Sequence, residues 1–180
     1  EKKENRILIK PYDDYDIIAG QGTAGYEITK DLENLSITPD MYLCCCGGGG
    51  LVAGTSTYLK YKYPNLTSYA VEPYGFDDTK ISLFNKKITA NKPGFQTICD
   101  AIITPQPGQL TFPINLITLS GGIAVEDQEV KNSIKILAEH LKIVVEPGGA
   151  VAATAALYKK IDLKNKIVVV MISGGNIDLD

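Results

Sequence analysis

The chain of 180 residues has little histidine and no long apolar run. Its single histidine, His140, argues against a mechanism in which histidine activates a serine or cysteine nucleophile. The longest clear apolar run, Ile167 to Ile172, is much shorter than the roughly 20 residues of a membrane helix. The net charge of −3 argues against nucleic acid or an anionic membrane surface as a partner. We therefore expect partners that are neither nucleic acid nor membrane.

The four cysteines lack the Cys-x-x-Cys spacing of a zinc site. Cys44, Cys45 and Cys46 are adjacent, and neighbouring residues of a strand point to opposite faces, so their thiols cannot converge on one metal ion. The better interpretation is that they are small buried residues in a reducing compartment. This predicts a cytoplasmic protein.

A run of four glycines, residues 47–50, is the most informative segment that is present. Residues without a Cβ atom allow several backbone N–H groups to converge on one point ahead of a helix. A flexible linker is the alternative, but linkers are polar on both sides. Here the apolar runs 41–46 and 51–53 flank the glycines. The pattern therefore predicts a phosphate-binding turn between a strand and a helix.

The residues around the glycines restrict the class of phosphate ligand that the turn could bind. A nucleoside-triphosphate loop requires a lysine directly after its last glycine, and no lysine occurs between Lys30 and Lys60. The segment 48–53 does fit the dinucleotide pattern Gly-x-Gly-x-x-Ala, and Glu72 lies at a suitable distance downstream. A nicotinamide or flavin oxidoreductase is therefore an open alternative.

Strand-like and helix-like segments alternate, which predicts an α/β fold with a parallel sheet and helices on both faces. The predicted strands are 7–9, 41–46, 67–72, 121–125 and a buried strand at 166–172. The predicted helices are 23–35 (capped by Thr23), 51–63, 79–84, 126–141 and 150–158, and the proline-rich segment 86–113 reads as a loop. Glycine turns at 47–50, 148–149 and 174–175 follow strands or precede helices. Turns at the carboxyl ends of parallel strands share one edge, so we expect them to surround one cofactor.

Five ordered motifs resemble one enzyme family. They are the segments 18–23 (Ile-Ala-Gly-Gln-Gly-Thr), 47–51 (the glycines and Leu51), 72–78 (Glu-Pro-x-Gly-x-Asp-Asp), 146–150 (Glu-Pro-Gly-Gly-Ala) and 173–176 (Ser-Gly-Gly-Asn). In this order they resemble the threonine/serine dehydratases, or ammonia-lyases, with serine racemase as a close relative. The resemblance implies a pyridoxal-phosphate enzyme of fold type II, the tryptophan-synthase-β type. It implies that residues 1–180 form the carboxyl-terminal part of the cofactor-binding catalytic domain, an incomplete fold.

The resemblance assigns cofactor contacts to seven residues. The backbone N–H groups of Gly47, Gly48, Gly49, Gly50 and Leu51 would bind the phosphate of pyridoxal phosphate. The Ser173 hydroxyl would bond the pyridine nitrogen, and an ordinary turn at the end of a strand is the alternative. Glu146 would lie beside the cofactor ring, with a carboxylate at the start of a helix as the alternative.

The resemblance also implies a reaction, the conversion of a hydroxy amino acid to a 2-oxo acid and ammonia, and a homo-oligomer when full length. The Schiff-base lysine of the family lies in an amino-terminal Ser-x-Lys-x-Arg-Gly motif. The only arginine here is Arg6, and Asn5 and Glu4 precede it, so no residue can be this lysine. We expect the isolated chain to be inactive. A racemase-type isomerase and a non-catalytic scaffold are alternatives to the ammonia-lyase.

Three residues match a divalent-cation site of the racemase branch. The carboxylates of Glu72 and Asp78 and the carbonyl oxygen of Phe76 would supply hard oxygen ligands for Mg²⁺ or Ca²⁺. The alternative is that Glu72 only ends a strand, while Asp77 and Asp78 cap the next helix.

Overall fold

The computed structural model describes residues 8–178, in which strands and helices alternate. The helices are α1 (Tyr15–Asn34), α2 (Gly50–Lys62), α3 (Asp78–Asn85), α4 (Thr111–Thr118), α5 (Asp127–Ile136) and α6 (Pro147–Leu157). A 3₁₀ turn spans Asp100–Ile102, and a π-helical turn at Leu137–Leu141 continues α5. The strands are β1 (Met41–Cys45), β2 (Thr67–Pro73), β3 (Gly121–Val125) and β4 (Val168–Val170).

The four strands form one parallel sheet in the order β3-β2-β1-β4, which confirms the predicted fold class. Within β1, Leu43 lies opposite Tyr69 of β2 on one side and Val170 of β4 on the other. Every residue of β1 is buried. A parallel strand covered on both faces requires such a continuous apolar run.

The helices lie on both faces because the crossovers run in two directions. The segments that contain α2, α3 and α4 advance from β1 to β3, and the segment that contains α5 and α6 returns to β4 at the other edge. Right-handed crossovers place these two groups on opposite faces. All residues of α6 from Gly148 to Ala155 are buried, and their small side chains let the helix lie close to the sheet. Among residues 8–178, no helix combines the length and apolar character needed to cross a bilayer.

Helix α1 begins well before Thr23, so the predicted helix start was wrong. The N-cap is Asp14, whose carboxylate accepts a hydrogen bond from the Asp16 amide at 2.9 Å. Gly22 and Gly25 lie inside the helix, on the side where α1 packs against α2. A Cβ atom on Gly54 of α2 would overlap the carbonyl oxygen of Ile18. Gly22, Gly25 and Gly54 therefore allow the close approach of the two helices, a contact that the local sequence does not reveal.

Three further predictions required correction. Residues 8 and 9, the described part of the predicted strand 7–9, belong to no strand. The proline-rich segment 86–113 contains the 3₁₀ turn and the start of α4. Pro113 lies in the first turn of α4, where the missing N–H group costs no intrahelical hydrogen bond. Strand β4 is shorter than predicted and only half-buried. It lies at an edge of the sheet formed by the described residues.

Candidate functional site

A cleft of about 440 Å³ lies at the carboxyl ends of the strands. It is lined by every residue that the sequence assigned to the cofactor: Gly47, Gly48, Gly49, Gly50, Leu51, Glu146 and Ser173. Tyr12, Gln21 and the segment 101–104 form other parts of its wall. The glycine turns at 47–50, 148–149 and 174–175 come from separate parts of the chain. The fold brings all three to this edge of the sheet.

The glycine loop, Gly47–Leu51, connects β1 to the first turn of α2. Gly49 is the N-cap of α2 with φ of +90°, a conformation that favours glycine. A Cβ atom on Gly48 would overlap the ring of Tyr12, and one on Gly47 would lie 3.1 Å from the Cα atom of Ile102. Within residues 8–178, none of the five N–H groups of this loop donates a hydrogen bond. They form a set of unpaired donors at the positive end of a helix.

The turn at residues 173–176 is tied to the start of α6 through Glu146. The amide of Glu146 donates to the carbonyl of Gly174 at 3.2 Å, and the Glu146 carboxylate accepts from the amide of Asn176 at 3.0 Å. Glu146 is the N-cap of α6 by position, but its side chain makes no capping bond. A Cβ atom on Gly149 would overlap the carbonyl oxygen of Ser173. The turn and the helix start therefore form one packed unit beside the cleft.

A thiol lies directly behind the Ser173 hydroxyl. The Sγ atom of Cys45 lies 2.9 Å from the Oγ atom of Ser173. Hydrogen bonding from the Cys44 thiol is the main cause that lowers the pKa of Cys45, and the Ser173 hydroxyl adds to it. Burial raises the pKa of Cys44 and of Cys46. All four cysteines are free and buried, which agrees with the predicted structural role of the triple-cysteine strand.

The three predicted metal ligands lie at the junction of β2 and α3. The two carboxylate oxygens of Glu72 accept hydrogen bonds from the amides of Thr79 and Lys80, both at 2.9 Å. Glu72 thus caps α3 from the preceding strand, and burial followed by the charge of Asp78 raises its pKa. Phe76 lies in the turn between the two elements and is half-buried.

Asp78 keeps one free carboxylate oxygen in this region. Its Oδ1 atom accepts from Nδ2 of Asn91 at 2.7 Å, whereas its Oδ2 atom is buried with no partner among the described residues. Burial raises the pKa of Asp78 to about 6. Residues 8–178 contain no cluster of three or more His, Cys, Asp or Glu residues that could hold a metal ion. The cation site formed by Glu72, Phe76 and Asp78 stays a prediction.

The sequence did not identify the opposite wall of the cleft. Tyr12 and the segment 101–104 reach the cleft only through tertiary structure. Behind the glycine loop, Thr111 of α4 donates from Oγ1 to the carbonyl of Gly48 at 2.7 Å. No local motif marks these residues, and the proline-rich composition around them indicated a loop.

Comparison with known proteins places this geometry in a family. Residues 1–174 match the family described as pyridoxal-phosphate dependent enzyme. The chain belongs to this family. Its serine racemase relative from Dictyostelium discoideum is 41% identical over 175 residues, which are 96% of this chain and 52% of the relative. The catabolic L-threonine dehydratase of Escherichia coli strain K12 is 36% identical over 178 residues, 98% of this chain and 53% of the relative.

Solved structures confirm the fold type of this pyridoxal-phosphate enzyme family. A threonine deaminase from T.th. superposes with a TM-score of 0.93 at 33% identity, covering 99% of this chain and 64% of that one. The serine racemase from Dictyostelium discoideum superposes with a TM-score of 0.87 at 38% identity, covering 99% of this chain and 56% of that one. The chain thus spans about half the length of the curated relatives it matches. Because the family uses pyridoxal phosphate, the dinucleotide alternative loses its support.

The residues of the cleft fit the phosphate of such a cofactor. Unpaired backbone N–H groups of the glycine loop are suitable donors to an anion, and the N-terminus of α2 adds a favourable dipole. A side chain at Gly48 or Gly49 would enter space that Tyr12 or Asn115 occupies. The absence of side chains here therefore keeps the donors accessible and the loop compact.

Proposed function

We propose that this chain forms the cofactor-binding part of a pyridoxal-phosphate-dependent threonine/serine ammonia-lyase. The observation that carries the proposal is the glycine loop, whose unpaired N–H groups share one cleft with Ser173 and Glu146. The matches to threonine dehydratases over nearly the whole chain support this reaction class. The substrate is a small hydroxy amino acid, and the products are a 2-oxo acid and ammonia.

In this proposal the N–H groups of Gly47, Gly48, Gly49, Gly50 and Leu51 bind the phosphate. When bound, pyridoxal phosphate supplies an electron sink for negative charge that develops on the substrate carbon next to the amine. The Ser173 hydroxyl holds the pyridine nitrogen. Because a hydroxyl, unlike a carboxylate, does not force this nitrogen to be protonated, Ser173 would favour elimination. Glu146 orients the turn that carries Ser173 and lies beside the ring.

A serine racemase is the second candidate, because the serine racemase of Dictyostelium discoideum is 41% identical to the chain. The cation site of Glu72, Phe76 and Asp78 belongs to this reading and would take Mg²⁺ or Ca²⁺. The buried Oδ2 atom of Asp78 supports such a site because it has no protein partner among the described residues. We also propose a homo-oligomer and a cytoplasmic location, and the four free thiols support a reducing compartment.

The test is to supply the chain with an amino-terminal half of a relative that carries the Ser-x-Lys-x-Arg-Gly motif. We expect pyridoxal phosphate to give absorbance near 410 nm, an approximate value typical of this cofactor on a lysine. Ammonia and 2-oxo acid should form from L-threonine or L-serine, whereas D-serine from L-serine would favour the racemase. The chain alone should release no ammonia. Failure to bind pyridoxal phosphate in either form would refute the proposal.

A further inference from the structure

Helix α4 lies directly behind the glycine loop and contacts its carbonyl groups. The Oγ1 atom of Thr111 donates to the carbonyl oxygen of Gly48 at 2.7 Å. One turn further along α4, Nδ2 of Asn115 donates to the carbonyl oxygen of Gly49 at 3.4 Å. Both side chains are fully buried, and neither lines the cleft.

The contact with the carbonyls fixes the direction of the donors. A trans peptide unit is planar, and its C=O and N–H bonds point in opposite directions. The carbonyl of Gly48 and the N–H group of Gly49 belong to one such unit. Because Thr111 holds the carbonyl on the α4 side, the N–H group of Gly49 is directed away from α4, toward the cleft that Gly49 lines.

The same logic applies to the next peptide unit. The carbonyl of Gly49 accepts from the amide of Ala53 at 2.9 Å, as the N-cap carbonyl of α2, and also from Asn115. The N–H group of Gly50 then points out of the helix N-terminus. The amide of Asn115 also fills the space next to Gly49, since a Cβ atom there would lie 2.7 Å from its Nδ2 atom.

The start of helix α4 is itself held in place by hydrogen bonds to Asp13, which precedes α1, and to the glycine loop. The Oδ1 atom of Asp13 accepts from the amide of Leu110 at 2.6 Å and from that of Thr111 at 3.4 Å. The amide of Gly108 donates to the carbonyl of Gly48 at 3.3 Å. These bonds fix the start of α4 relative to the loop, so the Thr111 hydroxyl has a defined position.

We infer that Thr111, supported by Asn115, is a positioning residue that directs the N–H groups of the glycine loop toward the phosphate. This inference rests on the proposed function. Thr111 acts through the Gly48 carbonyl and does not touch the ligand. Its hydroxyl should therefore affect the binding of a phosphate group and leave the binding of the ring unchanged.

The experiment uses two ligands without an aldehyde, pyridoxine 5′-phosphate and pyridoxine, so that surface lysines cannot form imines with them. Their dissociation constants are measured by equilibrium dialysis, and the ratio isolates the contribution of the phosphate. Thr111→Val removes the hydroxyl at nearly constant volume, and Thr111→Ser retains it. Thr118→Val is the matched control, because Thr118 lies on the same helix and accepts a buried hydrogen bond from Ser56 at 2.8 Å, away from the loop.

We expect Thr111→Val to weaken the binding of pyridoxine 5′-phosphate by about two- to tenfold, the effect of one neutral hydrogen bond. Pyridoxine affinity should stay at the parent value, Thr111→Ser should restore the ratio, and Thr118→Val should leave it unchanged. Asn115→Leu is a second variant, in case Thr111→Val does not fold. It removes a donor and also the Oδ1 atom, which is buried without a partner among the described residues. Asn115→Leu should therefore weaken the binding of pyridoxine 5′-phosphate without lowering the melting temperature of the protein.

The possible failures are distinguishable. If the parent chain prefers pyridoxine 5′-phosphate and the Thr111 and Asn115 variants keep the same preference, the positioning role is refuted and the proposed function stands. An equal loss of both ligands would also refute it, since this would indicate general destabilisation. If the parent binds both ligands equally, the phosphate site and with it this inference are refuted.

Discussion

Replacement of Gly49 by alanine would test the backbone geometry of the glycine loop. Gly49 has φ of +90°, which residues with a Cβ atom rarely adopt. The new methyl group would lie 2.7 Å from Nδ2 of Asn115 and 3.0 Å from Oγ1 of Thr111. The left-handed conformation costs about 1–2 kcal/mol, and an overpacked methyl group about 1–3 kcal/mol. We expect Gly49→Ala to lower the free energy of unfolding by about 2–5 kcal/mol.

The matched control is Gly20→Ala. Gly20 lies exposed within α1, and no atom lies within 4 Å of the position of its Cβ atom. Alanine there gains helix propensity without a clash, so stability should rise by about 0.5–1 kcal/mol. Urea unfolding followed by circular dichroism would compare the parent with both variants, and the two substitutions should have opposite signs.

A double variant separates the two costs at Gly49. Asn115→Ala removes the closest contact and leaves the backbone strain, so Gly49→Ala should be less destabilising in the Asn115→Ala background. The difference should be about 1–3 kcal/mol, the overpacking component. If Gly49→Ala costs less than about 1 kcal/mol and keeps the parent affinity for pyridoxine 5′-phosphate, the left-handed loop geometry is refuted.

Four further substitutions or reagents test the site. Ser173→Ala should weaken the binding of pyridoxine 5′-phosphate by about 0.5–1.5 kcal/mol, measured by equilibrium dialysis, and an unchanged affinity would place Ser173 away from the ring. Millimolar Mg²⁺ or Ca²⁺ should raise the melting temperature and Asp78→Ala should abolish the gain, whereas no shift in the parent would favour Glu72 as a helix cap alone. Cys45 lines the cleft and its pKa is lowered, so iodoacetamide should label it before the other thiols, and more slowly with pyridoxine 5′-phosphate bound. Burial raises the pKa of Cys99 to about 12, so mass spectrometry should find it labelled only after unfolding in urea.

Elements with a local signal could be predicted from the sequence. Strand β3 has the predicted bounds, Gly121–Val125, and α2 differs from its prediction by one residue at each end. The apolar runs on both sides of the glycines fix where the strand ends and where the helix starts. The glycine turns of the cleft could also be predicted, because carboxyl ends of parallel strands share one edge.

Elements whose residues serve a distant contact could not be predicted. The predicted helix began only at Thr23, after a segment with two glycines, and packing between helices explains the need for a small residue: a Cβ atom on Gly25 would lie 2.9 Å from the carbonyl oxygen of Thr55 in α2. Glu72 is similar. The family resemblance suggested it as a metal ligand, and its two oxygens also accept hydrogen bonds from the amides of Thr79 and Lys80 at the start of α3, a contact that no local motif indicates.

In the glycine loop, the groups that face the ligand are easier to predict from the sequence than the side chains that hold the loop in place. Its N–H groups face the cleft, and this requirement is visible in the sequence because only glycine satisfies it at consecutive positions. The carbonyl groups of Gly48 and Gly49 accept hydrogen bonds from α4, and many side chains with one donor could supply such bonds. The side chain that donates to Gly48, the hydroxyl of Thr111, is 63 residues away from it and lies beside a proline-rich segment. A change at Thr111 should therefore reach the ligand through a peptide unit that contains no side chain, which is why the phosphate-to-ring affinity ratio is the measurement that reveals it.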